Sequence, residues 1–168
     1  MSETLDRMNA GAALDAILHE VRPPARLAER PYLQPVYDDP EFVVRNVWRL
    51  YGGWWDGNPA RLKPASDAAV GAEVAALAGG VDTLVTRATE LSAAGDHRLA
   101  CQVVEYAAAA EPESHAVHEA RATIYAARRA VETSLMAKGI FRSATADSEY
   151  AASGEAPEFK MVLSIGDH

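Results

Sequence analysis

The chain has very little cysteine, no long apolar run and fewer basic than acidic residues. Cys101 is the single cysteine in 168 residues, so no disulfide can form within the chain. Sixteen basic and 24 acidic residues give a net charge of −8, which argues against nucleic acid or an anionic membrane as the main partner. The sequence contains no run of about 18 apolar residues, so it predicts no membrane span. The N-terminus lacks the basic-then-apolar order of a signal peptide, so we expect a cytoplasmic protein; a precursor with a signal outside these residues stays an alternative.

The residues that are abundant favour helices. The chain contains 34 alanines, and alanine is the best helix former. Apolar spacing and cap residues predict an all-α helical bundle of about six to seven helices, with a tetratricopeptide-like pair of hairpins between about residues 82 and 137. The predicted helices cover residues 4–21, 40–51, 66–78, 82–94, 97–110 and 112–139, with one further helical turn in 24–30. The one β-like run is residues 161–165.

The last predicted helix carries a candidate interface. Val117, Ile124 and Val131 repeat every seven residues with alanines between them, which indicates a coiled-coil-like seam of small residues. The apolar segment 135–141 continues past this seam and contains a helix breaker, Gly139. It is either core packing of the last helix or an interface with another chain or domain. The predicted interface residues are Val117, Ile124, Val131, Leu135, Met136 and Phe141.

The most unusual stretch is the aromatic loop, residues 51–59, which reads Tyr-Gly-Gly-Trp-Trp-Asp-Gly-Asn-Pro. Seven of the twelve aromatic residues lie between Tyr32 and Trp55, and seven of the nine prolines lie between Pro23 and Pro64. Glycine, Asp, Asn and Pro bend a chain in defined ways, so this loop is expected to shape a surface against something else. Its predicted substrate-contacting residues are Tyr51, Trp54, Trp55 and Asn58. Asp56 is expected to be a turn residue.

Two arginines on the helix before the loop are further candidates. Arg45 and Arg49 are four residues apart, so they share a helix face and could contact an anionic substrate or a carboxylate partner. The alternative is salt bridges to Asp38, Asp39 or Glu41.

No other constellation predicts catalysis. His115 and His118 could share one helix face as two metal ligands, or they are solvated or capping histidines. Cys101 lies among apolar residues without a neighbouring base, which predicts a buried structural thiol. No catalytic residue, metal ligand or cofactor site is therefore assigned within this chain.

Three segments together resemble a known family. Arg30-Pro-Tyr-Leu-Gln-Pro-Val-Tyr37, Pro40-Glu-Phe-Val-Val-Arg-Asn46 and the aromatic loop are similar to the dimerisation domain of bacterial alkyl sulfatases. Two later turns, Leu77-Ala-Gly-Gly80 and Ala94-Gly-Asp96, and the segment 132–141 also fit. The alkyl sulfatases are metallo-β-lactamase-fold hydrolases with a two-zinc site. The resemblance covers roughly residues 5–142.

The resemblance implies an all-α domain through which two subunits associate, with the aromatic loop close to a zinc site. The family's His-x-His-x-Asp-His zinc motif is absent from this chain. We therefore expect a non-catalytic dimerisation domain in residues 1–142, followed by a polar, flexible tail in 143–168. It would form a homodimer or associate with a separately encoded zinc hydrolase, the only source of zinc, and whether the chain takes part in catalysis stays open. The alternative is an independent helical small-molecule-binding protein or enzyme that reuses the loop.

Overall fold

The structure, a computed structural model, describes residues 1–154 and is all-α over that range, which confirms the predicted fold class. The run at 161–165 lies outside the described residues. Two short 3₁₀ turns, Pro31–Leu33 and Pro59–Arg61, accompany the α-helices. The described helices are Ser2–Asn9 (α1), Leu14–Glu20 (α2), Ala25–Ala28 (α3), Pro40–Gly52 (α4), Asp67–Ala78 (α5), Val81–Ala93 (α6), His97–Ala110 (α7), His115–Ala130 (α8) and Leu135–Ser153 (α9).

The chain forms two compact units. The first contains residues Met1–Ser66 and Arg129–Ile140, and the second contains Asp67–Arg128 and the described residues from Phe141 to Gly154. Helix α9 therefore begins in the first unit and continues into the second.

In the first unit the predicted helix over residues 4–21 is two helices. The break falls at Gly11, whose φ of 83° lies in the left-handed region that favours glycine. Thr4 is a buried residue of α1. Ile17, Leu18 and Val44 form the buried core of this unit, with partly buried apolar side chains from α1, α2 and α4 around them.

Helix α4 begins and ends where its sequence signals predict. The Asp39 side chain accepts a hydrogen bond from the Glu41 amide at 2.7 Å, and Pro40 occupies the first turn. Gly53, with a φ of 86°, ends the helix. The buried residues Val44 and Val47 face the core, so α4 positions the aromatic loop relative to α1 and α2.

In the second unit α7 packs against both α5 and α6. Small residues allow a close approach: a Cβ on Gly71 of α5 would lie 2.7 Å from the carbonyl oxygen of Tyr106 on α7. Two buried clusters fill this unit. They consist of Ala75, Val81, Leu84, Ala107 and Val117, and of Ala88, Leu91, Ala100, Val104 and Ile124.

The predicted long helix over residues 112–139 is wrong, because α8 ends at Ala130 and α9 starts at Leu135. Ser134 explains the new start: its buried hydroxyl accepts a hydrogen bond from the Ala137 amide at 3.3 Å, as an N-cap does. Val117 and Ile124 are core residues, whereas Val131 lies outside both helices and is exposed. The seven-residue seam therefore does not continue through Val131.

The predicted flexible tail does not begin at residue 143, because α9 continues to Ser153. The Arg121 guanidinium holds this part of α9 by donating to the Ala144 carbonyl at 3.0 Å and to the buried Ser148 hydroxyl at 2.7 Å. Residues 155–168 of the expected tail lie outside the described part of the chain.

Among residues 1–154 no single helix combines the length and apolarity needed to cross a bilayer. The pair α5 and α6 meets that test only when taken together, and it is bent by 87°.

Candidate association surfaces and the aromatic loop

The backbone of the aromatic loop is held by the side chain of Asp56. One carboxylate oxygen accepts a hydrogen bond from the Asn58 amide at 2.9 Å, and the other is 2.6 Å from the Arg61 guanidinium. The Arg61 hydrogen bond and then the Asn58 amide lower the pKa of the Asp56 carboxyl. Asp56 therefore stays ionised and is a turn residue, as the sequence predicts.

The loop is also fixed to the rest of the first unit. The Leu14 amide donates to the Asp56 carbonyl at 3.3 Å, and the Trp48 indole N–H donates to the Trp55 carbonyl at 3.0 Å. A Cβ on Gly57 would lie 3.5 Å from the Cβ of Ala13, at a φ of 91° that disfavours other residues. The path of the loop is thus set by contacts with the start of α2 and the end of α4.

Although this backbone is fixed, the aromatic side chains of the loop remain exposed. Trp54 is 75 % exposed, Tyr51 is 59 % exposed and Trp55 is 44 % exposed. The Asn58 side-chain oxygen accepts a hydrogen bond from the Ala60 amide at 3.0 Å, so its NH₂ group is the part of the amide left for a ligand. The aromatic side chains of the loop therefore contribute exposed apolar surface to the first unit.

The two candidate arginines do not share a face with Tyr51. Arg45 and Arg49 are exposed on α4, and neither takes part in the ion pairs found among the described residues. Tyr51 follows Arg49 by two residues, about 200° around the helix. The six residues predicted to contact one substrate therefore lie in two places. Four belong to the aromatic loop, and the two arginines lie on another face of α4.

A second exposed surface lies at the start of α9, and we call it the α9 surface. The Leu135 amide donates to the Val36 carbonyl at 2.8 Å, and the Met136 amide donates to the Tyr37 carbonyl at 3.1 Å. The Ser134 hydroxyl also donates to the Tyr37 carbonyl, at 3.0 Å. These bonds satisfy amides at the helix start that have no partner within α9. The α9 surface consists of the exposed residues Val36, Tyr37, Leu135, Met136 and Ile140.

Sequence reasoning found only part of this surface. Leu135 and Met136 were predicted interface residues and are exposed, while Val36 and Tyr37 were not predicted because their link to α9 spans about a hundred residues. Phe141 is packed inside the second unit, with its ring 5.9 Å from the Tyr125 ring and 5.1 Å from the Arg128 guanidinium. Val117 and Ile124 cannot contact another chain in this structure, because their side chains are buried within this one.

Exposed large apolar side chains are concentrated in the first unit. Among the described residues, sixteen of the twenty such side chains lie there, and the other four are Val70, Leu77, Leu99 and Tyr150. Single exposed apolar residues are ordinary, but clusters of them mark contact sites. The first unit therefore carries most of the large apolar side chains that the described chain leaves exposed.

The first unit also contains an apolar cavity of about 580 Å³. Its walls include Val21, Pro23, Pro35, Val43 and Val44. The residues that line it also include the charged Glu3, Arg22, Asp38 and Asp39. The size falls within the usual range of small-molecule sites.

The polar side chains of the second unit are engaged with one another. Glu105 accepts hydrogen bonds from the Arg121 Nε at 2.9 Å and from the Tyr125 hydroxyl at 2.6 Å. Burial and then the Glu105 hydrogen bond raise the pKa of the Tyr125 phenol. Glu105 and Arg121 line a cavity of about 490 Å³ together with His118. The network ties α7 to α8, and through Arg121 to α9.

The candidate metal pair and the thiol have structural surroundings. His118 Nε2 is 2.7 Å from the Pro112 carbonyl and Nδ1 is 3.4 Å from the Ser148 hydroxyl, so both ring nitrogens have protein neighbours. Within residues 1–154 no three His, Cys, Asp or Glu side chains are placed to hold a metal ion. Burial raises the pKa of the Cys101 thiol to about 11, which keeps it protonated at neutral pH.

Comparisons with known proteins point to one group of enzymes. Residues 13–150 match the alkyl sulfatase dimerisation family. A linear primary-alkylsulfatase of a Pseudomonas species is 32 % identical over 106 residues, which are 62 % of this chain and 20 % of that protein. An alkyl/aryl-sulfatase of Saccharomyces cerevisiae is 29 % identical over 117 residues, covering 70 % of this chain and 18 % of that protein.

A solved structure gives the same correspondence in three dimensions. The inverting sec-alkylsulfatase Pisa1 from Pseudomonas sp. superposes with a TM-score of 0.79 at 25 % identity, covering 94 % of this chain and 24 % of that one. The chain thus spans about a fifth to a quarter of the length of these relatives.

Proposed function

The chain belongs to the alkyl sulfatase dimerisation family, and from this we propose that it is a non-catalytic association module of an alkylsulfatase-like metallo-hydrolase. We further propose that its aromatic loop forms one wall of the substrate pocket of that hydrolase. The observation that carries the proposal is the concentration of exposed apolar side chains in the first unit, with Trp54 most exposed among the loop aromatics.

The rigidity of the loop supports a role in ligand contact. The Asp56 carboxylate and the Trp48 indole hold the loop backbone without burying Trp54 or Trp55. A surface ordered before binding loses less conformational entropy when a ligand or partner arrives. The two indole rings would therefore border an apolar slot that accepts an alkyl chain.

The polar groups of the loop suit the other end of such a substrate. The Tyr51 hydroxyl and the Asn58 NH₂ group are donors, and an anionic head group offers oxygen acceptors. Arg45 and Arg49 lie on another face of α4, so we assign them to carboxylates of a partner rather than to the same substrate. The two zinc ions would belong to the hydrolase domain, whether that domain is in the same polypeptide or in another.

Reconstitution with an alkylsulfatase-like catalytic domain tests the role of the loop. We expect Trp54→Ala to raise KM for long-chain alkyl sulfates about tenfold, because one exposed aromatic wall contributes about 1–2 kcal/mol to binding an apolar chain. The effect should shrink for short chains. Tyr32→Phe, an exposed tyrosine outside the loop, is the control for Tyr51→Phe. Unchanged kinetics for both loop variants would remove the pocket wall from the proposal.

A second function is favoured by the 580 Å³ cavity of the first unit. On this alternative the chain binds a small apolar molecule by itself, without a hydrolase. Titration with decanol, an uncharged chain, would then raise the melting temperature in a saturable way, and Val43→Asp in the cavity wall would abolish the rise. No saturable shift with decanol would exclude this alternative for linear apolar chains.

A further inference from the structure

We propose that the Thr4 hydroxyl selects the head group of a ligand in the 580 Å³ cavity, and that this ligand is an uncharged apolar chain ending in a hydroxyl, as in a fatty alcohol. The proposal rests on the small-molecule alternative proposed above and names the chemical class of the ligand. It concerns the first unit alone, because every residue that lines the cavity lies between Met1 and Val44.

Thr4 differs from the other residues of the cavity wall because its side chain is polar, buried and without a hydrogen bond. The residue is 1 % exposed and lines the cavity from the first turn of α1. Among residues 1–154 no group hydrogen-bonds to its hydroxyl. By contrast, the Thr89 hydroxyl donates to the Val85 carbonyl at 2.9 Å. Leaving a buried hydroxyl without a partner is destabilising, so a ligand oxygen that meets Thr4 forms a hydrogen bond that the free protein lacks.

The rest of the wall is largely apolar and stiff. Seven of the nine prolines lie between Pro23 and Pro64, and four of these seven line the cavity. The lining prolines are Pro23, Pro24, Pro35 and Pro40, and the lining valines are Val21, Val36, Val43 and Val44. Because the proline ring fixes φ, such a wall loses little backbone freedom when a ligand binds. The cavity therefore suits an alkyl chain whose one polar atom meets Thr4.

The three carboxylates that line the cavity already have donors in the protein. Asp39 accepts a hydrogen bond from the Glu41 amide at 2.7 Å, and Asp38 accepts one from the Asp39 amide at 2.8 Å. The Glu3 carboxylate lies 3.4 Å from the Arg7 guanidinium. None of the three is therefore left without a partner in the absence of a ligand.

One guanidinium, that of Arg22, lies among the same lining residues. Its Nη1 donates to the Leu18 carbonyl at 3.0 Å and to the Val21 carbonyl at 2.9 Å, at the end of α2. An anionic head group would approach the three carboxylates, and a cationic one would approach Arg22. A hydroxyl head group carries no charge, and the Thr4 hydroxyl can both donate to it and accept from it.

Thr4→Val tests this inference, because valine keeps the branched shape and has a similar helix propensity but lacks the hydroxyl. NMR titration with hexanol should show a dissociation constant about tenfold above that of wild type, since one hydrogen bond is lost. Fluorohexane, which has the same chain without an O–H group, should bind the variant no more weakly than wild type. Thr4→Ser keeps the hydroxyl and should respond to the two ligands as wild type does.

The stability of the free chain provides a second, independent readout. Since the Thr4 hydroxyl has no partner, Thr4→Val should have a melting temperature equal to that of wild type or higher. A lower melting temperature would mean that the hydroxyl has a structural partner, and the inference would be wrong. Thr89→Val is the matched control: Thr89 is exposed in the second unit, so its replacement should leave the hexanol dissociation constant unchanged.

The outcomes separate this inference from the function on which it rests. If hexanol binds wild type saturably but Thr4→Val changes the affinity for hexanol and fluorohexane equally, Thr4 does not select the head group, and the small-molecule function stands without it. If hexylammonium or hexanoate binds wild type more tightly than hexanol, the uncharged ligand class is wrong. If none of these ligands binds, the inference and the small-molecule function both fail, and the association role is unaffected.

Discussion

Replacing Gly71 by alanine tests the closest helix contact in the molecule. An added Cβ would lie 2.7 Å from the Tyr106 carbonyl oxygen and 2.9 Å from the Ala110 amide nitrogen. Both are backbone atoms of α7, so rotation of a side chain cannot relieve the overlap. The helices α5 and α7 must therefore separate.

The magnitude follows from two opposing effects. Alanine is better than glycine in a helix by about 1 kcal/mol, which favours the variant. Overpacking a well-filled core costs about 1–3 kcal/mol, and here the resisting atoms are rigid. We expect the steric cost to exceed the helix gain, so that Gly71→Ala lowers the free energy of unfolding by about 1–2 kcal/mol.

Gly139→Ala is the control, because it makes the same chemical change in a helix where the added Cβ meets nothing within 4 Å. It should raise the free energy of unfolding by up to about 1 kcal/mol. The two substitutions are thus predicted to have opposite signs.

Urea unfolding followed by far-UV circular dichroism measures both variants. All three tryptophans, Trp48, Trp54 and Trp55, lie in the first unit, so tryptophan fluorescence reports that unit while circular dichroism reports both. Gly71→Ala should shift the dichroism transition with an unchanged m value. If it were as stable as wild type or more so, the close approach of α5 and α7 would be wrong.

Three further predictions concern single side chains. Ser134→Ala removes the cap of α9 and the hydrogen bond to Tyr37, so urea unfolding followed by tryptophan fluorescence should show a loss of about 1–2 kcal/mol; no loss would contradict the capping role. Cys101 should react with iodoacetamide at pH 8 about a hundredfold more slowly than a free thiol, because burial raises its pKa; rapid labelling of the folded chain would refute the burial. Asp56 has a folded pKa below its unfolded value, so its contribution to stability is complete above the ordinary value of 3.8 and is lost as pH falls through the lower folded value; loop fluorescence should change in that acidic range, and Asp56→Asn should abolish the change.

The helices that the sequence placed correctly are those with strong local signals. Asp39, Pro40 and the Gly52-Gly53 pair delimit α4, and Asp96 caps α7 by accepting a hydrogen bond from the Leu99 amide at 3.5 Å. Such signals act over three or four residues, so they can be recognised in the sequence without knowledge of the rest of the fold. The predictions failed where local signals were weak or competed. Gly11 splits the first helix, and Ser134 starts a new helix inside a segment that otherwise looks continuous.

The candidate surfaces divide in the same way. The sequence identified the aromatic loop because glycine, Asp and Asn mark its turns, and the structure shows Asp56 holding it as expected. It did not separate Arg45 and Arg49 from Tyr51, because that separation follows from helical spacing only once α4 is known to continue through Gly52. Nor could it remove Val117 and Ile124 from the interface, since a heptad pattern fits an internal core equally well.

By itself the sequence determined an all-α chain, the loop that distinguishes it and the family to which it belongs, because composition, turn residues and motifs are properties of neighbouring residues. Only the tertiary structure decided which apolar residues remain uncovered. The Val36 and Tyr37 carbonyls accept hydrogen bonds from the first amides of α9, which lie about a hundred residues later in the sequence. This long-range contact creates the α9 surface. Burial depends on the path of the whole chain, so no local pattern could have shown that Leu135 is exposed while Ala137, two residues later, is not.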